Sequence, residues 1–221
     1  MKLKNSPLAA VIASMAMAAS SQAAITIIAT DGFNTGATVE TPWTDAGTVT
    51  AGNWTLTETT TAAGLVAVGN KKSGYDDAIL SYEGTGEALF QDASGSLAAT
   101  LTETVGEWFN AGDKVAIDFF TRSRATTGSL GLTVSLVGAA TLNYASTYTP
   151  ASSTWAQSTT EYVTIDTAGT YSVRFANATT GSDNTTMLDS VSYYKVDAIP
   201  EPSAALLGGL GMLCLLRRRR A

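Results

Sequence analysis

Short stretches in which apolar and polar residues alternate fill most of the chain between residues 25 and 198. Residues 114–121 show the pattern clearly. The inward set is Val115, Ile117 and Phe119, and the opposite set is Ala116, Asp118 and Phe120. Turn signals such as residues 111–113 and 168–169 separate the stretches, and no long apolar stripe of helical spacing occurs outside the two ends. The pattern predicts about ten strands in an all-β domain, an antiparallel two-sheet β-sandwich of jelly-roll-like type.

The last alternating stretch, residues 186–196, is predicted to be the strand that closes the domain. Read as one uninterrupted strand, it divides its side chains between two faces. One face receives Met187, Asp189, Val191, Tyr193 and Lys195, and the other receives Leu188, Ser190, Ser192, Tyr194 and Val196.

The distribution of charge excludes several classes of function. Residues 24–198 contain 7 basic and 18 acidic side chains, a net charge of −11 that would repel a phosphate backbone, so we expect no nucleic-acid partner. The chain contains no histidine, which excludes Ser-His-Asp and Cys-His catalysis and histidine-ligated zinc. The single cysteine, Cys214, leaves the central region without disulfides.

The N-terminus has the three parts of a secretory signal. Lys2 and Lys4 precede a short apolar run, and small residues follow it, with Ser21 and Ala23 at the positions that signal peptidases read. We predict a signal helix in residues 1–23, removed after Ala23, and a mature domain in residues 24–198. A buried helix of the domain is the alternative reading of this segment.

The C-terminus combines two prolines, an apolar run and a basic cluster. Pro200 and Pro202 flank Glu201 and favour an extended backbone. Residues 203–216 are apolar and would span about 21 Å as a helix, short of the roughly 30 Å hydrocarbon layer. Four arginines follow, Arg217, Arg218, Arg219 and Arg220, and are expected to stay on the cytoplasmic side as a membrane stop.

Residues 199–221 resemble the PEP-CTERM sorting signal, which carries a Pro-Glu-Pro motif, an apolar helix and an arginine cluster in this order. The resemblance implies recognition by an exosortase at Pro200, Glu201 and Pro202, after passage through the export machinery. It also implies transient anchoring in the inner membrane, release to the cell surface or the extracellular space, and association with exopolysaccharide. An ordinary C-terminal membrane anchor is the alternative.

The central domain resembles galactose-binding-like, carbohydrate-binding jelly rolls. Residues 31–34 follow the first predicted strand, and residues 188–193 resemble the closing strand of such domains. In those domains a calcium ion often joins the first strand to the last, which implies Asp31 and Asp189 as candidate ligands for a structural calcium ion. The alternative is that Asp31 belongs to a turn and that Asp189 is a solvated strand residue.

Aromatic side chains in polar surroundings are candidates for stacking on sugar rings. Trp43 and Trp155 lie in such surroundings and are the predicted sugar-stacking residues, with a place in or over the core as the alternative, whereas Trp54 and Trp108 flank strands and are predicted to be core.

Glycoside hydrolysis needs two carboxyl groups at a defined separation, and the spacing of the acids singles out no pair. The candidates are Glu83, Glu87, Glu103, Glu107 and Asp118. The sequence therefore predicts a non-enzymatic exported protein of the cell surface or extracellular matrix. A carbohydrate-binding module is the alternative function, and a secreted glycoside hydrolase is a weaker one.

Overall fold

A computed structural model describes residues 25–33, 39–40, 47–58, 64–70, 82–83, 86–92, 98–124, 128–178 and 183–197. These residues form strands and turns without a helix, so the all-β prediction is confirmed. The predicted terminal helices, residues 1–23 and 199–221, lie outside the described residues. Within the described ranges, no helix has the length and hydropathy needed to cross a membrane.

The described strands number fifteen, and residues 25–196 form one compact unit. They are β1 (Ile25–Asp31), β2 (Val39–Glu40), β3 (Gly47–Ala51), β4 (Trp54–Glu58), β5 (Gly64–Asn70), β6 (Gly86–Asp92), β7 (Ala99–Glu103), β8 (Glu107–Phe109), β9 (Lys114–Ser123), β10 (Leu132–Gly138), β11 (Thr141–Tyr148), β12 (Ala156–Thr159), β13 (Val163–Thr164), β14 (Gly169–Asn177) and β15 (Asn184–Val196).

The strands form two antiparallel sheets, as the sequence predicts for a β-sandwich. The first sheet has the order β12-β9-β15-β6-β5-β2, with β1 added to β15 and β13 added to β9. The second sheet has the order β11-β10-β14-β7-β4-β3, with β8 added to β14. Strands that are neighbours in a sheet are often distant in sequence, which is typical of jelly-roll-like sandwiches.

The closing strand β15 lies in the middle of the first sheet. Along one side it pairs with β9, and along the other it pairs first with β6 and then with β1. Ile25 is opposite Val196, so the first and last residues of the compact unit are adjacent. The backbone therefore enters and leaves this unit at the same place.

The core lies between the inner faces of the two sheets. Val115, Ile117 and Phe119 of β9 are fully buried, which confirms the inward face predicted for this strand. Phe119 meets Phe175 of β14 edge to face, with ring centroids 5.2 Å apart. Trp54 is 1% exposed, so its predicted place in the core is also confirmed. Burial of these large side chains is the main force that holds the sheets together.

The predicted uninterrupted alternation in residues 186–196 is wrong at its centre. The register between β15 and β9 shifts between Asp189 and Ser192, and Ser190 has a φ of 50°. This is a β-bulge, in which one extra residue reverses the facing of everything that follows. Val191 therefore joins Leu188 in the core, while Asp189 stays on the outer face.

Candidate functional site

The strand register brings charged and apolar side chains together on the outer face of the first sheet. Directly paired residues of antiparallel strands share a face. Arg122 of β9 pairs with Met187 of β15, and Met187 pairs in turn with Leu89 of β6. One row further along, Phe120 pairs with Asp189. The sequence neighbours of these residues point into the core, so the two rows face away from it.

Three aromatic rings form a cluster on this face. Tyr82 stacks on Phe120 with ring centroids 3.5 Å apart and an interplanar angle of 14°. It also meets Trp155 edge-on at 6.4 Å. Tyr82 is 50% exposed, and both Phe120 and Trp155 are half-buried. We call Tyr82, Phe120 and Trp155 the aromatic cluster. Its exposed surface offers ring faces to which an apolar or C–H-rich surface can bind.

A buried ion pair fixes the position of Trp155. The guanidinium carbon of Arg122 lies 5.0 Å from the centre of the Trp155 ring, a cation–π distance. The same guanidinium contacts a carboxylate oxygen of Glu87 at 3.4 Å, and both side chains are almost fully buried. Trp155 also packs against Leu89 and Met187. The ring is therefore held from below by charge and by apolar contact.

Polar side chains border the aromatic cluster. Gln157 pairs with Phe120, and Thr159 pairs with Asp118. The Gln157 amide donates to one carboxylate oxygen of Asp118 at 2.6 Å, and the Thr159 hydroxyl donates to the other at 2.7 Å. Asp118 is buried, whereas Gln157 and Thr159 are exposed. We call Asp118, Gln157 and Thr159 the polar border, which places an amide and a hydroxyl in fixed positions beside the rings.

Asp189 ties the Tyr82–Glu83 segment to this face. One Asp189 oxygen accepts the Glu83 N–H at 2.9 Å, and the other accepts the Ser190 N–H at 2.7 Å. The Ser190 hydroxyl donates to the Glu83 carboxylate at 2.6 Å. Asp189 is fully buried, and this burial raises its pKa to about 7, with the negative charge of Glu87 adding to the effect. The hydrogen bonds stabilise the loop position from which Tyr82 reaches Phe120.

The two predicted calcium ligands, Asp31 and Asp189, belong to paired strands and lie near one another along them. Asp31 is the last residue of β1, and its backbone is paired with Val191, just beyond the bulge at Asp189. Each Asp189 oxygen accepts one backbone N–H, which leaves a second lone pair on each oxygen for a cation. The described residues include no group of three or more acidic or cysteine side chains arranged around a metal position. A calcium site at Asp31 and Asp189 stays a prediction.

The other sites predicted from the sequence divide into three groups. Trp155 lies on the outer face described above, while Trp43 lies outside the described residues. The predicted core position of Trp108 is wrong, because this side chain is 61% exposed. The sorting residues lie outside the described residues: Pro200, Glu201, Pro202, Arg217, Arg218, Arg219 and Arg220.

The site also contains residues that the sequence reasoning did not single out. Phe120 and Asp118 carry a signal, since the alternation of residues 114–121 places them away from the core. No sequence pattern identifies Tyr82 or Arg122, because their partners Phe120 and Glu87 lie far away in sequence. Only the sheet topology brings these residues together.

The outer face of the second sheet has a different chemistry. A single row of side chains crosses its six main strands through successive pairings. In order, the row is Thr50, Thr55, Thr102, Arg174, Ser135 and Asn143. We call it the hydroxyl row. Arg174 of this row is half-buried, and its Nε donates to the Ser135 hydroxyl at 3.2 Å. The row contains no aromatic side chain, and its arginine contacts a hydroxyl rather than a buried carboxylate.

The fold is similar to that of several solved structures. The Stig cyclase Fisc from Fischerella sp. TAU has a TM-score of 0.53 at 15% identity, covering 80% of this chain and all of that one. A cyclase from Fischerella sp. in its apo form has a TM-score of 0.51 at 14% identity, covering 80% of this chain and 98% of that one. At these identities the similarity is one of fold, and it supports the β-sandwich assignment.

A carbohydrate-binding module is also among the similar structures. The CBM22-1 xylan-binding domain of Paenibacillus barcinonensis Xyn10C has a TM-score of 0.46 at 12% identity, covering 81% of this chain and all of that one. No curated protein sequence matches the chain. Residues 198–220 match the PEP-CTERM protein-sorting motif, so the resemblance seen at Pro200, Glu201 and Pro202 is confirmed and the chain carries this motif.

Proposed function

We propose that this chain is an exported, non-enzymatic protein that is sorted through its PEP-CTERM motif and binds extracellular polysaccharide. The observation that carries the binding proposal is the aromatic cluster beside the polar border on the outer face of the first sheet. The motif match at residues 198–220 supports the sorting proposal. The two parts are independent and have separate tests.

The sorting proposal assigns a role to each part of the C-terminus. The apolar run in residues 203–216 enters the inner membrane, and the four arginines after it stay on the cytoplasmic side. The peptide around Glu201 then remains outside, where an exosortase cuts it and passes the domain to the cell surface. A Glu201→Ala variant should accumulate as full-length precursor, measured by mass spectrometry of cell fractions. Unchanged processing of this variant would contradict the proposal.

The binding proposal follows from the chemistry of sugar rings. One face of a pyranose consists largely of C–H bonds, which pack on an aromatic ring, while its hydroxyls require hydrogen-bond partners. Tyr82 and Trp155 supply exposed ring surface, and Gln157 and Thr159 lie beside them. Because Arg122 and Glu87 already fix the Trp155 ring, little side-chain entropy is lost when a sugar binds.

The charge of this face selects the kind of polysaccharide. Glu83, Glu87 and Asp118 lie on or beside it, against the single cation Arg122 among the residues discussed. Residues 24–198 carry a net charge of −11. Repulsion between like charges disfavours anionic chains. We therefore expect neutral polysaccharides to bind better than those containing uronic acids.

A glycan array tests this proposal with residues 24–198 and two matched tryptophan variants. Trp155→Ala should abolish binding, since it removes a ring of the cluster. Trp108→Ala removes an equally large side chain, exposed on a short strand of the second sheet, and should bind as the unchanged protein does. Equal loss in both variants, or no binding to any glycan, would contradict the proposal.

The absence of enzymatic activity is part of the proposal and is supported by the state of the carboxylates. Asp118 accepts from Gln157 and Thr159, and Glu87 is paired with Arg122. These contacts give the carboxylates positioning roles. We expect no hydrolysis on a polysaccharide panel, and activity that an Asp118→Asn or Glu87→Gln variant removes would establish the hydrolase alternative.

A further inference from the structure

Two exposed isoleucines lie at the end of the first sheet where the chain enters and leaves the domain. Ile25 and Ile27 of β1 are 65% and 58% exposed. Ile25 pairs with Val196, and Ile27 pairs with Tyr194. Across β15, Val196 pairs with Lys114 of β9. We call Ile25, Ile27, Tyr194, Val196 and Lys114 the terminal strip.

The composition of the terminal strip differs from that of an ordinary strand surface. Tyr194 and Val196 are half-buried, and Lys114 is exposed. Ile25 and Ile27 belong to a strand that pairs only with β15 among the described strands, so they stand at a sheet edge. Long exposed apolar side chains at an edge usually mark a contact surface, because proteins otherwise protect such edges with charge.

The position of the terminal strip in the chain indicates what it contacts. Val196 is followed within two residues by the sorting motif at residues 198–220. Six residues lie between Val196 and Ser203, where the apolar run begins, so seven Cα–Cα steps join the two. Fully extended, they reach about 25 Å at most. While the apolar run occupies a bilayer, the terminal strip is tethered within this distance of the lipid surface.

We propose that the terminal strip lies on the outer lipid surface of the membrane while the sorting motif is still attached. The proposal rests on the membrane insertion of residues 203–216 that the sorting function requires. Ile25 and Ile27 enter the boundary between headgroups and acyl chains, the Tyr194 hydroxyl stays at headgroup level, and Lys114 meets lipid phosphate. Release of the tail removes the tether, and the domain then leaves the surface because two isoleucines alone hold it only weakly.

The charge of the domain favours a zwitterionic surface over an anionic one. Residues 24–198 carry a net charge of −11, which anionic lipids repel. Lys114 is the basic residue of the terminal strip. A phosphatidylcholine vesicle is therefore the probe in which the contact is expected to be strongest, and adding phosphatidylglycerol should weaken it.

Spin labels on residues 24–221, the chain without its predicted signal, test the proposal in phosphatidylcholine vesicles. In a Cys214→Ala background, one variant carries the label at Ile27→Cys and the control carries it at Thr50→Cys, on the second sheet. The label at 27 should collide more often with oxygen, which dissolves in lipid, and less often with a water-soluble nickel chelate. The label at 50 should show the opposite.

Flotation of the vesicles separates this proposal from the sorting function. If the chain floats but the label at 27 collides with the nickel chelate as often as the label at 50 does, only the proposed lipid contact is overturned. A chain that does not float overturns both. Dipolar broadening between labels at 27 would show that a second copy pairs along β1, which also overturns the lipid contact.

A second variant makes the test independent of the label at residue 27. A label at Lys114→Cys reports on the strip while both isoleucines are intact. Adding Ile25→Ser and Ile27→Ser to it should shift the label from oxygen-accessible to chelate-accessible. Because both isoleucines are exposed, these serines leave the core unchanged. An unchanged accessibility would show that the isoleucines do not contact lipid.

Discussion

The outer faces of the two sheets share a backbone geometry but differ in how their side chains are stabilised. The first sheet carries the aromatic cluster over a buried ion pair and a buried carboxylate. The second carries the hydroxyl row, in which polar side chains repeat across six strands. Buried charge makes the first face rigid and sensitive to change, whereas the second depends mainly on its backbone ladder.

The largest expected difference between the faces concerns their arginines. Arg122→Ala should lower the free energy of unfolding by about 3–5 kcal/mol, because it leaves the buried Glu87 carboxylate without this partner. Arg174→Ala, the matched change in the hydroxyl row, should cost less than about 1 kcal/mol, since its partner Ser135 is a neutral hydroxyl. Urea unfolding of residues 24–198 measures both.

A paired variant shows whether charge or packing causes the Arg122 effect. Arg122→Met together with Glu87→Gln should recover part of the loss, since no charge then remains buried at this pair. Equal losses for Arg122→Ala and Arg174→Ala would mean that the two faces are stabilised alike.

The next largest effect is a dependence of stability on pH. The folded domain holds a proton on Asp189 up to pH 7, whereas the unfolded chain releases it near the ordinary pKa of 3.8. The unfolded state therefore binds fewer protons between these values, and the free energy of unfolding falls as pH rises through this window. The upper limit of the fall is roughly 4 kcal/mol.

Asp189→Asn is the control for this dependence. The chain has no histidine that would titrate between pH 5 and 8. Thermal unfolding should show a falling melting temperature from pH 5 to 8 in the unchanged protein and a flatter profile in the variant. The same slope in both proteins would show that Asp189 is not the group responsible.

A smaller effect distinguishes hydroxyls on the two faces. The Thr185 hydroxyl is fully buried on the first sheet and has no hydrogen-bond partner among the described residues. Thr185→Val should therefore stabilise the domain by about 1 kcal/mol. Thr102→Val in the half-exposed hydroxyl row should change stability by less than about 0.5 kcal/mol. Urea unfolding that ranks the two variants in the opposite order would contradict the comparison.

The smallest expected effect is that of calcium. Asp189 is fully buried, and the described residues place no group of three acidic side chains around a metal position, so a calcium ion gains little there. We expect the melting temperature to change by less than about 2 °C between excess calcium and a chelator. A larger rise with calcium, removed by Asp189→Asn, would establish the calcium site at Asp31 and Asp189.

The core strands were predictable from the sequence because burial of one face requires an apolar residue at every second position. In β9, the alternate residues Val115, Ile117 and Phe119 are apolar and fully buried, which is the period that the sequence shows. The bulge in β15 was not predictable, since Asp189 and Ser190 are polar and fit either face. Trp108 adjoins Phe109 in a strand of three residues, where only one of the two rings can point inward.

The candidate site was predictable only in part. Trp155 follows serine and threonine, so its polar surroundings suggested an outer position. Its supporting residues, Arg122 and Glu87, are distant in sequence and become neighbours only when β15 lies between β9 and β6. Tyr82 depends on the same topology, because Asp189 holds its loop from more than a hundred residues away.

The central position of β15 determines when the domain can fold. It is the last of the described strands to be synthesised, yet β9, β6 and β1 all pair with it. Such distant pairings form late and slowly. The first sheet therefore lacks its middle until residues 184–196 are available, and on the proposed export route the domain closes only as the sorting motif arrives. An early stop in export would leave three strands with open edges, a state prone to aggregation.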